Sequence, residues 1–335
     1  MNNFFKITER RQINAIETAA KNLKIIPTSI EKDVWVTAVL QALFALPYSD
    51  HLSFKGGTSL SKCYNLIERF SEDIDIAVNR GFLGFDGKLS KTQISDKLRR
   101  AACSFVRDKL QFDIAKEFEN QGINSDLFTV KVNITPVTTT DPEIIEIHYK
   151  SLFSESNYVK PIVKIEVSGR SMNEPLQKID LQSIVDKEFP DISFANKPFE
   201  VNAVVPERTF LEKICLLHEE FARSREFVRT ERMSRHLYDV SKLDDAGISE
   251  NALNDKNLYH SVVEHRRIFV GLKDFDYDTL APKTIKIVPP DNIISEWKED
   301  YETMRETMIY GESLPFNKLI NKIKQLNERI NHMDW

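Results

Sequence analysis

Cysteine is scarce in this sequence, with three residues among 335, and no two of them are spaced as a CxxC pair. An odd number of scattered thiols is not typical of a disulfide framework, so we expect Cys63, Cys103 and Cys215 to be reduced core residues. The sequence also lacks a hydrophobic run long enough to span a membrane, since polar residues interrupt the longest run, 34–46, and Pro47 ends it. These absences argue against a secreted disulfide scaffold and a membrane-spanning protein.

Neither sign of charge dominates the composition. The 46 lysines and arginines face 51 aspartates and glutamates, which gives a net charge of −5. This balance argues against a protein whose whole surface coats nucleic acid, although it leaves room for a local basic groove. The amino-terminal sequence becomes charged too early for a secretory signal. We therefore expect a cytoplasmic protein.

The order of the predicted elements indicates an α+β protein with two domains. Two leading helices are predicted over 6–23 and 29–46 because apolar residues recur there at helical spacing. Short β-branched runs then predict strands among two further helices, and helical periods dominate after Pro206. We expect a mixed-sheet domain over 1–205 and a helical domain over 206–335. The predicted strands are 51–55, 73–78, 128–134, 143–149, 162–167 and 199–204, and the two further helices are 58–69 and 92–110.

The stretch FKGGTSLSK, residues 54–62, is typical of a phosphate-binding turn. A strand that ends in two glycines and turns into a helix presents unpaired backbone N–H groups and the positive end of the helix dipole. Gly56 and Gly57 allow an anion to approach the backbone closely, and Thr58 and Ser59 add hydroxyl donors. When the glycines are considered alone, a tight turn with no ligand is the favoured explanation.

Two aspartates follow in the predicted strand 73–78. Residues i and i+2 of a strand point to the same face, so Asp73 and Asp75 are predicted to lie side by side. Adjacent carboxylates repel each other unless a cation lies between them, and hard oxygen ligands of this kind suit Mg²⁺. Solvated acids on an exposed edge strand are the alternative.

A phosphate-binding turn followed by paired aspartates is the arrangement that nucleotidyl transfer needs, because two metal ions then stabilise the attacking oxygen and the leaving pyrophosphate. Two such ions usually require a third carboxylate. Glu166 is the candidate because it lies within the apolar strand 162–167, where an acid is otherwise hard to explain. An outward-facing side chain, or an ion pair with Lys131 or Arg170, is the alternative.

The glycine turn, the short helix and the Asp-x-Asp strand resemble the polymerase-β-like nucleotidyltransferase superfamily. The stretches FKGGTSLSK (54–62) and RFSEDIDIAV (69–78) resemble the sequences of its AbiEii/MenT branch. This branch contains the nucleotidyltransferase toxins of toxin–antitoxin and abortive-infection systems. The resemblance extends over about residues 50–245 through a mid-chain strand motif at 165–175 and helix motifs at 206–214 and 235–240. It implies the superfamily's mixed sheet with flanking helices, followed by a helical domain that completes the active-site cleft.

The resemblance also implies roles for individual residues. It makes Asp73, Asp75, Lys213 and Asp239 catalytic, and we expect two Mg²⁺ ions, with Mn²⁺ as an alternative, on Asp73, Asp75 and Glu166. Ion pairs within helices, from Lys213 to Glu212 or Glu207 and from Asp239 to Arg235, are the structural alternatives. The residues predicted to bind substrate are Gly56, Gly57, Thr58, Ser59, Lys62, Arg69, Ser71 and Arg235.

By resemblance, the expected function is transfer of a nucleotide from an NTP to RNA, with the tRNA 3′ end as the leading acceptor. The protein would be a growth-inhibiting toxin with an antitoxin encoded nearby. The arginine-rich stretch 223–235 is either a path for RNA or a solvated face. A nucleotidyltransferase that modifies Ser, Thr or Tyr of a partner protein and a non-catalytic nucleotide-binding module are the competing functions.

Overall fold

The computed structural model describes residues 2–70, 73–133, 142–154 and 160–334. The chain divides into two compact units. Unit 1 comprises Met1–Cys63 and Glu72–Val204, and unit 2 comprises Tyr64–Ser71 and Val205–Trp335. Within the described residues, no helix is both long and apolar enough to cross a membrane.

Unit 1 is built on a mixed seven-stranded sheet in the order β3-β4-β5-β2-β1-β7-β6. The pairs β2–β5 and β1–β7 are parallel and the other neighbours are antiparallel. This mixed sheet with its helices confirms the predicted α+β class. The strands are β1 (Leu52–Lys55), β2 (Asp73–Val78), β3 (Phe128–Val132), β4 (Glu143–Tyr149), β5 (Ile162–Ser168), β6 (Leu176–Leu181) and β7 (Phe199–Val204).

The helices of unit 1 pack beside this sheet. Helix α2 is buried over most of its circumference and contacts β5 and β7, while α5 packs against α2 and β3. Helix α1 packs against α2 and α6, and its apolar face joins a cluster that includes Ile16, Ile30 and Phe194. The helices are α1 (Glu9–Leu23), α2 (Pro27–Ala45), α3 (Gly56–Lys62), α4 (Arg99–Phe105), α5 (Gln111–Asn120) and α6 (Ile184–Glu188), with π-helical turns at Gln93–Leu98 and Val106–Leu110.

Unit 2 is helical. Helix α7 packs against α8, α9 and α10, and α12 packs against α8 and α11. Three large aromatic side chains, Tyr259, Trp297 and Tyr301, are at most 2% exposed and fill its core. The helices are α7 (Pro206–Phe221), α8 (Arg235–Asp245), α9 (Ile248–Asn254), α10 (Lys256–His265), α11 (Ile294–Thr307) and α12 (Phe316–Asn331).

A segment that precedes β2 in sequence belongs to unit 2. The backbone N–H of Phe70 donates to the carbonyl of Met308 at 2.9 Å, and that of Tyr310 donates to the carbonyl of Glu68 at 3.0 Å. The predicted helix 58–69 is therefore wrong beyond Lys62, and the left-handed backbone of Asn65, with φ of 52°, is incompatible with its continuation.

Two further outcomes concern strands and thiols. The sequence missed β6, an edge strand whose mostly exposed side chains do not show the alternation of a half-buried strand. All three cysteines are free. Their predicted place in the core is confirmed for Cys103 and Cys215, which are buried, and wrong for Cys63, which is partly exposed.

Candidate active site

The acidic residues of the candidate site lie on one face of the unit 1 sheet. Along β2, Asp73 and Asp75 are partly exposed, whereas Ile74 and Ile76 point to the other face and are 0% exposed. In the parallel pairing with β5, Asp75 is the direct neighbour of Glu166. Because paired residues of a ladder share a face, the three carboxylates line one side of two adjacent central strands.

Gly56 lies directly against one of these acids. Its φ of +78° belongs to the left-handed region, and a Cβ atom there would stand 2.0 Å from Oδ2 of Asp75. Any side chain at this position would therefore displace the carboxylate and would also strain the backbone. The glycine turn and the acidic face thus form one site within unit 1.

The hydroxyl-bearing residues of the turn are buried. Thr58 and Ser59 are 3% and 2% exposed. The Thr58 hydroxyl donates to the backbone carbonyl of Asp73, which joins the first turn of α3 to the start of β2. Thr58 therefore supports the position of Asp73, and hydroxyl contacts from Thr58 or Ser59 to a phosphate stay a prediction.

Lys62, the last residue of α3, forms an ion pair with Asp33 of α2. The other carboxylate oxygen of Asp33 accepts a hydrogen bond from the backbone N–H of Ile184 at 2.7 Å. Lys62 thus connects α3 to the helices beside the sheet, and its predicted contact with substrate is untested. Ser71, also predicted to bind substrate, lies outside the described residues.

The acidic face fits a hard divalent cation that takes its remaining ligands from the phosphates of a nucleotide. Within the described ranges, no group of three or more His, Cys, Asp or Glu side chains is already gathered to hold a metal ion. Mg²⁺ is commonly held by one or two carboxylates, and substrate phosphates and water complete its ligands. Adjacent Asp75 and Glu166, with Asp73 on the same face, supply that donor set.

Unit 2 holds a second group of charged residues, which is buried. The Arg69 guanidinium donates to both carboxylate oxygens of Asp239, each at 2.7 Å. The Nζ atom of Lys213 on α7 lies 2.9 Å from Oδ2 of the same carboxylate. Arg69 and Asp239 are 2% and 0% exposed, and Lys213 is 7% exposed. Lys213 therefore forms an ion pair with an aspartate of a different helix, α8. This is the aspartate that the resemblance makes catalytic, and Arg69 holds it in place.

The protonation states follow from burial and from these neighbours. Burial favours the neutral form of Asp239, but Arg69 and Lys213 outweigh it and hold the pKa of this carboxyl well below its usual value. Burial lowers the pKa of Lys213; Asp239 opposes that shift, and the Arg69 charge adds to it. Burial also lowers the pKa of His236, whose Nδ1 lies 3.4 Å from Nζ of Lys213.

Arg235 is the first residue of α8, one turn before Asp239. Its charge contributes to the lowered pKa values of Lys213 and His236. Of the preceding arginines, Arg223 and Arg229 pair with Glu220. Glu220 therefore balances part of the positive charge of the arginine-rich stretch within unit 2.

Two lysines beside the acids were not predicted as site residues. In the sheet register, Lys55 of β1 is the neighbour of Asp75, and Lys164 of β5 is the neighbour of Asp73. The spacing of Lys164 and Glu166 within one strand would have placed Lys164 on the acidic face. The neighbour of Asp75 on β1 depends on a pairing register that the sequence does not reveal.

Comparisons with known proteins agree with this fold. The family model of the nucleotidyl transferase AbiEii toxin of type IV toxin–antitoxin systems matches residues 38–322. MenT4, the nucleotidyltransferase toxin Rv2826c from Mycobacterium tuberculosis H37Rv, is similar in structure, with a TM-score of 0.56 and 15% identity over 95% of this chain and 90% of that chain. JHP933 from Helicobacter pylori has a TM-score of 0.44 and 14% identity over 90% and 91% of the two chains.

At 15% identity, the similarity to MenT4 shows the likeness of the fold alone. No curated protein matches the sequence. The family model, however, spans most of the chain. The protein therefore belongs to the AbiEii family, the nucleotidyltransferase toxins of type IV toxin–antitoxin systems.

Proposed function

We propose that this transferase moves a nucleoside monophosphate from an NTP to RNA, with the tRNA 3′ end as the leading acceptor. In the reaction, the bond between the α-phosphorus and the pyrophosphate oxygen breaks as the acceptor hydroxyl oxygen bonds to the phosphorus. Mg²⁺ is the proposed cofactor, with Mn²⁺ as the alternative. Membership of the family also implies an antitoxin partner, which we propose is encoded nearby.

The observation that carries this proposal is the contact between the glycine turn and the acidic face. Gly56 leaves no room for a side chain beside Asp75, and Asp75 neighbours Glu166 in the sheet. A backbone turn that an anion can approach and carboxylates that can hold a cation are complementary halves of a metal–triphosphate site. A purely structural turn does not require the second half.

The proposed roles follow from residue chemistry. Asp73, Asp75 and Glu166 would hold the metal, which when bound stabilises charge on the attacking and leaving oxygens. The backbone N–H groups of Gly56 and Gly57 would donate to phosphate oxygens. Lys213 is proposed to neutralise charge on the triphosphate, in line with the family resemblance, and the Arg69–Asp239 pair supports this because it positions the Lys213 ammonium.

The test is incubation of the purified protein with Mg²⁺, total tRNA, total protein and each α-labelled NTP in turn. The matched variants are Asp75→Asn and Asp180→Asn, because Asp180 is an exposed aspartate on edge strand β6. We expect label on RNA with the wild type and Asp180→Asn, and none with Asp75→Asn. Replacing Mg²⁺ with EDTA should abolish the label, and Mn²⁺ should restore it.

The other outcomes separate the competing functions. Label on protein side chains would replace the RNA acceptor with a Ser, Thr or Tyr acceptor. Tight NTP binding without transfer to either would indicate a nucleotide-binding module. Transfer by Asp75→Asn at the wild-type rate would contradict the assignment of the acidic face.

A further inference from the structure

The acidic face of β2 and β5 continues across β4 to the edge strand β3. One side of these strands is closed by side chains that are 0% exposed, such as Ile147, Val163 and Ile165. The other side carries partly or fully exposed residues, as the alternation along each strand requires. Its polar members lie on β3, on the residue that follows β3, on β4 and on β5. They are Thr129, Lys131, Asn133, Glu146, His148, Lys164, Glu166 and Ser168.

The register aligns four of these charged positions in one row. Asp73 neighbours Lys164, Lys164 neighbours Glu146, and Glu146 neighbours Lys131. Adjacent strands lie about 4.8 Å apart, so the row extends about 14 Å from the catalytic aspartate to the edge of the sheet. It begins at the reaction centre and ends at a strand with no neighbour on its outer side in the described sheet.

The acid in the middle of the row already has hydrogen-bond partners on both carboxylate oxygens. Asn133 donates to one carboxylate oxygen of Glu146 at 2.9 Å, and Nε2 of His148 lies 2.9 Å from the other oxygen. Among the residues that the structure describes, neither Lys131 nor Lys164 has a carboxylate within ion-pair distance. Both ammonium groups are therefore available to an anion from outside the chain.

These groups match the chemistry of a single-stranded polynucleotide. Lysine ammoniums bind phosphate groups, while a histidine ring and hydrogen-bonding side chains between them can contact an unstacked base. We propose that Lys131, Asn133, Glu146, His148 and Lys164, the acceptor track, bind the 3′ segment of the RNA acceptor. Lys164 contacts the phosphate nearest to the reaction and Lys131 a phosphate further along the strand. This inference rests on the proposed function.

The first test measures RNA binding without turnover. In an Asp75→Asn background, binding of fluorescently labelled tRNA is followed by anisotropy at several salt concentrations. Lys131→Gln and Lys164→Gln should each weaken binding several-fold, and each should reduce the slope of log K against log[salt] by about 0.7, the contribution of one neutralised phosphate on a single strand. Lys178→Gln is the matched control, because this exposed lysine on edge strand β6 pairs with Glu200.

The second test measures transfer in the wild-type background. Both track variants should raise KM for the RNA, with the larger effect in the double variant, and should leave KM for the NTP unchanged. Unchanged thermal melting would show that the variants are folded. Wild-type RNA binding and KM in the double variant would overturn the track while leaving the proposed function intact. Failure of the wild type to label any RNA would overturn the proposed function itself, and the track with it.

Discussion

The two groups of candidate site residues differ in how their charges are balanced. On the sheet of unit 1, three carboxylates share a partly exposed face. In unit 2, Asp239 is fully buried with the guanidinium of Arg69 and the ammonium of Lys213 already in contact. The acidic face is partly exposed and so is accessible to a ligand, whereas the buried group is held together by its own ion pairs. Substitutions in the first should change activity, and substitutions in the second should also change stability.

The largest expected effect is the loss of transfer in Asp75→Asn. Removing one carboxylate from the proposed metal-binding face should lower the rate of nucleotide transfer by on the order of a thousandfold. The melting temperature should stay close to that of the wild type, because Asp75 is partly exposed and asparagine has nearly the same shape. Rates with labelled NTP and thermal melts of both proteins measure this. A strongly destabilised Asp75→Asn would show that the acidic face is structural.

Asp239→Asn should reverse this pattern. It leaves Arg69 and Lys213 buried without a counter-charge, which costs about 3–5 kcal/mol of unfolding free energy. Urea unfolding measures the loss. Asp245→Asn on the same helix is the control, since Asp245 is exposed and pairs with Lys322 at the surface. Equal stability of the two variants would remove the contrast between the buried and the exposed groups.

Gly56→Ala tests whether the turn and the acids act together. The added Cβ would overlap the position of Oδ2 of Asp75, which lies 2.0 Å away, so the carboxylate must move. A displacement of this size should lower transfer by about a hundredfold. Gly84→Ala is the matched control, because its φ is also positive but its Cβ would meet no atom within 4 Å. Equal activity in the two variants would limit the role of Gly56 to backbone conformation.

The smallest predicted effect concerns a buried histidine of unit 2. Nδ1 of His218 accepts a hydrogen bond from the backbone N–H of Lys286 at 2.8 Å, and burial lowers the pKa of this ring to about 4. The unfolded chain binds this proton near pH 6.5, so the stability from neutral His218 is present above that pH and is lost on acidification. From pH 8 to pH 5 the loss is about 2 kcal/mol.

Urea unfolding of the wild type and His218→Gln at several pH values tests this. The variant should be less stable at pH 8 but should lose less stability towards pH 5. The exposed His260, changed to Gln, serves as the control. A variant with the same pH slope as the wild type would show that other groups account for the acid sensitivity.

The sequence was informative where local patterns determine the structure. The i, i+2 spacing of Asp73 and Asp75 was sufficient to predict a strand with both acids on one face. Helical periodicity was sufficient to predict that the chain after Pro206 is mainly helical. The alternation of Val163, Ile165 and Val167 with polar residues predicted β5 in the same way. In each case the residues that decide the element are close together in sequence.

What the sequence did not reveal depends on distant contacts. The partner of Arg69 is 170 residues away, and no local pattern indicates that the two meet. The departure of the chain from the predicted helix 58–69 follows from pairing with residues near Met308. The positions of Lys55 and Lys164 beside the acids depend on strand register, which is set by the assembled sheet.

The separation of Arg69 from Asp239 also bears on how the toxin is made. Ribosomes add about 5–20 residues per second, so the 170 residues between the two partners require roughly 10–30 s of synthesis. During this interval Arg69 has been made but its carboxylate has not. Lys213 is synthesised 26 residues before Asp239, so it also lacks this partner until Asp239 has been added. The buried charge group can therefore form only when nearly three quarters of the chain exists, and a nascent chain released before that point lacks it.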